Sequence, residues 1–132
     1  MDVSEAMVRD VALLGPDANV REAARAMAEN DSRAVLIGSM ETLQGILTER
    51  DILIRVVAAG LVPGDTSIGE VMSTTLFTCR DDQNAADALA EMTEHRVEQM
   101  PVLDRAGRLC GLLNRAAADD SGRRDGEPGP PP

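Results

Sequence analysis

The sequence predicts an α+β fold made of two βαββα units. Three observations carry that prediction: a self-similarity at an offset of about 65 residues, an apolar helical stripe present in each copy, and two short apolar runs after each stripe. Val3-Ser4-Glu5-Ala6-Met7 matches Ile68-Gly69-Glu70-Val71-Met72, and the same spacing carries Asp17 to Asp82, Asn19 to Asn84 and Met27 to Met92. Self-similarity at a fixed spacing is the mark of duplicated structural units. Further along, Ala34-Val35-Leu36-Ile37 matches Met100-Pro101-Val102-Leu103, and Gly45-Ile46-Leu47 matches Gly111-Leu112-Leu113, both at an offset of 66. The second copy is therefore expected to hold one extra residue before its middle strand, where a loop would absorb it.

Each element follows from its own pattern. Leu13-Leu14 and the segment 77–79 read as leading strands. Val20, Ala23, Ala24 and Met27 fall at i, i+3, i+4 and i+7, one face of a helix, and Ala85, Ala88, Leu89 and Met92 repeat that face. Asn19 and Asn84 stand just before the stripes as N-caps, with Glu22 and Asp87 three residues on, close to a capping box. The apolar runs 34–37 and 43–47, and 100–103 and 109–113, read as strand pairs. Asp104-Arg105-Ala106-Gly107 has turn chemistry. Residues 48–59 read as a closing helix stopped at Gly60, a natural C′ residue. The matching helix of the second copy, 115–120, is short. The expected organisation is a first repeat over 1–60, a linker over 61–67, a second repeat over 68–118, and a flexible acidic and proline-rich tail over 119–132.

Composition excludes several classes. Thirteen arginines, no lysine and twenty-three acidic residues leave a formal net charge of −10 on 132 residues, and Phe77 is the one aromatic. Nucleic acid is a poor partner, because phosphates need a basic stripe and bases need stacking platforms. The run 52–62 is interrupted by Arg55 and too short to span a bilayer. The acidic start carries no secretory pattern, so a cytoplasmic protein with two reduced, core-type cysteines, Cys79 and Cys110, is expected. No catalytic residues are assigned, since the single histidine, His95, has no nucleophile in a recognisable motif beside it. No metal site is assigned either, because His95 and two distant cysteines do not make a ligand set.

One segment carries chemistry: Gly45-Ile46-Leu47-Thr48-Glu49-Arg50-Asp51. A buried strand runs straight into a helix with Thr48 at the junction. Its hydroxyl and the first-turn N–H groups suit an anion. Asp51, one turn on, can accept from the two hydroxyls of a vicinal diol. Gly45 would let a ligand approach the strand closely. Thr-x-x-Asp is equally an N-cap with an approximate capping box, which stabilises a helix with no ligand at all. The second copy has Asn114 and Ala117 at these positions, so a capping residue survives there and the carboxylate does not.

These residues, with the Met100-Pro101-Val102 strand and the paired Glu-x-Met starts, resemble a tandem pair of CBS domains over roughly residues 3–118, similar to stand-alone bacterial CBS-pair proteins. The resemblance implies two βαββα repeats packed sheet to sheet about a pseudo-two-fold axis, with clefts between them for adenosine-containing ligands: AMP, ADP, ATP, S-adenosylmethionine or NAD-type molecules. It implies that Asp51 holds the ribose, that Thr48 with Arg50 meets the phosphate, and that adenine lies between Ala12-Leu13 and the backbone of Ala34, Val35, Leu36 and Ile46. No resident cofactor is implied beyond such a bound nucleotide. Asn114 and Ala117, the apolar position taken by Ser32 and the stunted last helix depart from the family pattern, so one competent cleft is expected. With no lysine, phosphate would fall to Arg50, Arg9, Arg33 or backbone N–H groups, which favours a monophosphate or a cationic ligand over ATP. The expected function is ligand sensing read by an unspecified downstream protein. The alternative is a ligand-independent dimerisation or scaffold protein with vestigial clefts.

Helix 48–59 also bears on assembly. Ile52, Leu53, Ile54, Val56, Val57, Ala58 and Ala59 leave only Arg55 polar, so the helix is apolar nearly all round. An excess of apolar surface predicts a partner, and a homodimer through this helix is the simplest.

Overall fold

The structure, a computed structural model, describes residues 1–115. Beyond its first residue, Arg115, the expected last helix lies outside the described residues, as do Ala117 and the tail. In chain order the elements are α1 (Val3–Ala6), β1 (Leu13–Leu14), α2 (Val20–Asn30), β2 (Ala34–Gly38), β3 (Leu43–Thr48), α3 (Glu49–Ile52), α4 (Ile68–Val71), β4 (Cys79–Arg80), α5 (Ala85–His95), β5 (Gln99–Leu103) and β6 (Leu109–Asn114). A π-helical turn, Leu53–Val57, continues α3, and a 3₁₀ turn covers Pro63–Asp65. The strands form two three-stranded sheets, ordered β1-β2-β3 and β4-β5-β6. The mixed α+β class and the two βαββ layouts agree with the sequence.

The two compact units are not consecutive stretches of chain. One comprises Asp10–Leu76 with Gly107–Leu109; the other comprises Met1–Arg9, Phe77–Ala106 and Cys110–Arg115. Each repeat thus lends its opening segment to the other unit. Val3 and Met7 are buried with Met92, Met100, Val102 and Leu113, whereas Ile68 and Val71 are buried with Val20, Met27, Ile37 and Leu47. Backbone bonds fasten the first exchange: Val3 N–H donates to Gln83 O at 2.9 Å, and Val8 and Leu112 exchange bonds in both directions at 2.9 Å. Ile46 and Ser73 do the same in the other unit, at 3.0 and 2.9 Å.

The helical stripes behave as their spacing predicts. Val20, Ala23 and Met27 are buried on α2, and Ala85, Ala88 and Met92 on α5, while Ala24 stays exposed. The Asn19 side chain accepts from Glu22 N–H, and that of Asn84 from Ala86 and Asp87 N–H, so both asparagines cap as expected. The closing helix differs. It widens after one α-turn into π geometry, which turns Val56 fully inward, lets Arg55 Nη1 donate to Val71 O at 2.9 Å, and leaves Leu53, Ile54 and Val57 outside. Gly60 follows at φ 75°, the left-handed conformation that ends the run.

The position of the extra residue needs correction. Strand β2 spans Ala34–Gly38 and β5 spans Gln99–Leu103, an offset of 65, whereas β3 (Leu43–Thr48) and β6 (Leu109–Asn114) differ by 66. The insertion therefore lies after the middle strand, in the turn to the last one. The core decides it: Val35 and Ile37 point into one core, and Met100 and Val102 into the other. Ala34 corresponds to Gln99, not to Met100. Alternate strand residues face opposite ways, so a one-residue slip would have put Pro101 into the core and Met100 outside it.

Candidate functional site

The residues singled out around 45–51 converge at one corner of the β1-β2-β3 sheet. Ala34 pairs with Thr48, Leu36 with Ile46 and Ile37 with Gly45, while Leu13 lies opposite Leu36 on the other side. Leu36 N–H donates to Ala12 O at 2.9 Å, which brings the residue before β1 into the same corner. The Val35 side chain is in the core beneath α2, so only its backbone can line this corner. Ala34, Leu36 and Ile46 alternate with core residues and so project from the opposite sheet face.

At the β3-to-α3 junction, Thr48 and Asp51 form a complete capping box. Asp51 Oδ2 accepts from Thr48 N–H at 2.9 Å, and Thr48 Oγ1 accepts from Asp51 N–H at 3.2 Å. Both residues are half-buried. Neither is chemically spent. The Thr48 hydroxyl still has its proton to donate, and a carboxylate with one such bond keeps several acceptor sites. Two first-turn N–H groups are already engaged, Glu49 with Arg33 O at 3.0 Å and Asp51 with Thr48. An anion here would therefore meet chiefly the Thr48 hydroxyl and the guanidinium groups around it. Arg50 is exposed, and Arg33 pairs loosely with Glu49 at 3.8 Å, both side chains about two-thirds exposed. Such a pair is worth ~0–1 kcal/mol, so Arg33 can be drawn away at little cost. Arg9, also named for phosphate, belongs to the other unit and donates to Ser4 O.

Gly45 has a role visible without any ligand. A Cβ there would meet Met72 Sδ at 2.7 Å and Ser73 O at 2.8 Å, so the close approach it permits is made by the chain's own 72–73 segment. Gly111 repeats this with Met7 Sδ at 2.6 Å and Val8 O at 2.9 Å. Ser73 takes both backbone groups of Ile46, a contact that sequence reasoning missed, although the paired Glu-x-Met segments were its signal. Ser32 is likewise accounted for: its hydroxyl donates to Ala34 O at 2.9 Å and orders the entry to β2.

The counterpart corner of the β4-β5-β6 sheet carries Gln99 where the first has Ala34. Gln99 is 7% exposed, and its Oε1 has no donor among the described residues. The displaced alignment hid this residue. His95 is exposed at the end of α5 and stacks on Phe77, with ring centroids 4.1 Å apart. Cys79 and Cys110 are free thiols on β4 and β6, and burial pushes the Cys79 thiol up to about 12. Among the described residues no three histidine, cysteine or acidic side chains are grouped to hold a metal ion, and no helix is long and apolar enough to cross a membrane.

With this geometry in place, the chain belongs to the CBS-domain family: the CBS domain matches residues 3–58 and again residues 68–117. The CBS domain-containing protein YhcV of Bacillus subtilis is 33% identical over 111 residues, covering 84% of this chain and 78% of that protein. A solved structure with CBS domains from Burkholderia ambifaria superposes with a TM-score of 0.84 at 29% identity, covering 95% of this chain and 93% of that one. Hypoxic Response Protein I, solved with two coordinated zinc ions, gives 0.77 at 30% identity, covering 91% and 98%. CBSX2, solved in complex with AMP, shares the fold, with a TM-score of 0.75 at 21% identity and coverage of 92% and 95%.

Proposed function

We propose that this chain is a regulatory module that binds an adenosine-containing ligand at the β3-to-α3 corner. The carboxylate of Asp51 takes the ribose diol, while the Thr48 hydroxyl, with Arg50 nearby, takes the phosphate. The base lies against Ala12-Leu13, Ala34, Leu36 and Ile46. The observation that carries this reading is the reciprocal Thr48–Asp51 pair, half-buried at a sheet corner, which keeps one hydroxyl proton and spare carboxylate lone pairs available. The AMP found on CBSX2 supports the ligand class by fold alone. Absence of lysine and a charge of −10 favour AMP or a cationic S-adenosyl compound over ATP. Calorimetric titration with AMP, ATP, S-adenosylmethionine and NADH should give binding to at least one, lost in Asp51→Ala. Silence across all four would overturn the reading.

A second reading has its own support. The Thr48–Asp51 bonds close a capping box without any ligand, as a scaffold protein would require. Assembly is common to both readings. Leu53, Ile54 and Val57 are 61%, 51% and 59% exposed, and Leu61 and Val62 continue the strip at 44% and 59%. We infer a homodimer that buries this strip, since isolated apolar residues are ordinary at a surface but a continuous strip is not.

A further inference from the structure

Met1–Arg9 has its seat in one unit and its tether in the other. It fills the β4-β5-β6 unit, while the chain continues from it into Asp10–Leu76. Ile68–Ser73, the second lent segment, is continuous with the unit that it fills, so it cannot change places alone. The seat of the first segment is well defined. Val3 and Met7 are buried there with Met92, Met100, Val102 and Leu113. Ala85 N–H donates to Met1 O at 2.8 Å, Val3 N–H to Gln83 O at 2.9 Å and Ser4 N–H to Asp81 O at 3.0 Å, and Val8 and Leu112 bond in both directions at 2.9 Å. The tether is held by much less. Val8, Arg9 and Asp10 are exposed, and among the described residues Arg9, Asp10 and Val11 make no backbone hydrogen bond.

We propose that Met1–Arg9 is an exchangeable arm and that the partner it fits is a second copy of this chain, each copy seating its arm in the β4-β5-β6 unit of the other. Every contact in the seat is the same whether the arm comes from its own chain or from a neighbour. Only the tether changes, and exchange of an identical element is a low-cost route to a dimer. The choice of seat is made as the chain folds, when seats on neighbouring chains are equally open. It then persists, because two buried side chains and their flanking backbone bonds must be released together to reverse it. The inference uses neither Asp51 nor the apolar strip at Leu53, so it stands or falls apart from the proposed function.

Val8 and Leu112 report which chain supplies the arm. Residues that exchange both backbone bonds across antiparallel strands lie about 5.5 Å apart at Cα, within reach of a disulfide. The test uses the full chain with Val8→Cys and Leu112→Cys, the native thiols removed by Cys79→Ala and Cys110→Ala, and the strip disabled by Leu53→Glu and Val57→Glu. It is refolded at a series of concentrations and then oxidised. An arm in its own seat closes the disulfide within one chain, and an exchanged arm links two chains, which non-reducing electrophoresis separates. While dimers are few, raising the folding concentration about tenfold should raise the ratio of linked dimer to monomer about tenfold. Deleting Asp10 should raise that ratio by shortening the tether, and inserting Gly-Ser-Gly-Ser after Asp10 should lower it. If the cysteine variant does not fold, light scattering on Leu53→Glu with Val57→Glu alone gives the reading: refolded concentrated and then diluted, it should retain dimers that the same chain refolded dilute lacks. Disulfides confined to single chains at every concentration overturn the inference, as does a monomeric mass after concentrated refolding in the second experiment. A dimer indifferent to both folding concentration and tether length overturns it too, since such a dimer uses another surface.

Discussion

Asp51 and Thr48 hold each other: the carboxylate accepts the Thr48 N–H at 2.9 Å, and the hydroxyl accepts the Asp51 N–H at 3.2 Å. One pair of side chains therefore starts a helix and forms the proposed ligand grip, and the two roles can be separated. Asp51→Ala should lose ~0.5–2 kcal/mol of stability and also the ligand-dependent rise in melting temperature. Asp51→Asn keeps an acceptor for Thr48 N–H but removes the charge. It should melt close to the wild type without ligand and gain less from AMP. A ligand-induced rise that survives unchanged in both variants would remove Asp51 from the site. Thermal melts with and without AMP make the comparison.

Gly45 and Gly111 answer to packing. Alanine at either position meets a methionine sulfur, which can shift, and a backbone carbonyl, which cannot do so cheaply. Each should lose ~1–3 kcal/mol. Gly15→Ala, with nothing within 4 Å of its Cβ, should be neutral or slightly stabilising. Denaturant midpoints for the three variants test the contrast, and equal effects would contradict the packing described.

The exposed strip on the π-turn gives a third expectation. Leu53→Glu with Val57→Glu should convert a dimer into a monomer with little change in the fold of each chain, because both side chains already face outward. Sedimentation or light scattering reads the mass. An unchanged mass would move the interface elsewhere.

Alkaline stability should fall on the cysteines. The chain has no lysine and no tyrosine, and arginine stays charged. Cys79 is raised from 9.0 to about 12, by burial first, then by Glu91 and Cys110. Between those values the unfolded chain releases a proton that the native chain retains. Stability is therefore complete below pH 9 and declines as pH rises toward 12. Melting temperatures from pH 8 to 11 should show the decline, and Cys79→Ala should flatten it. A slope that persists in Cys79→Ala,Cys110→Ala would assign the loss to another cause.

Much of this fold was legible because its signals are local. The stripes at 20–27 and 85–92, the asparagine caps and the stop at Gly60 each lie within a few residues of what they determine. The register of β5 was not. Gln-Met-Pro-Val-Leu against Ala-Val-Leu-Ile-Gly is apolar on both faces over most of its length, so letters alone do not say which residues turn inward; only packing against α5 does. Thr48 and Asp51 were legible as a pair through their spacing, whereas Ser73 on Ile46 joins residues far apart in sequence, and the paired Glu-x-Met segments mark the stretch without naming its partner. The π-turn was equally hidden, since a helix that widens by one residue keeps the same apolar letters.

The exchange of opening segments has a consequence for how this chain is born and inherited. Residues 1–9 leave the ribosome before their seats beside Met92, Met100 and Leu113 exist, so that segment stays unseated until β6 has been made. Neither copy could be lost or transplanted alone without stripping its sibling of a piece, so the duplication is locked in as an inseparable pair.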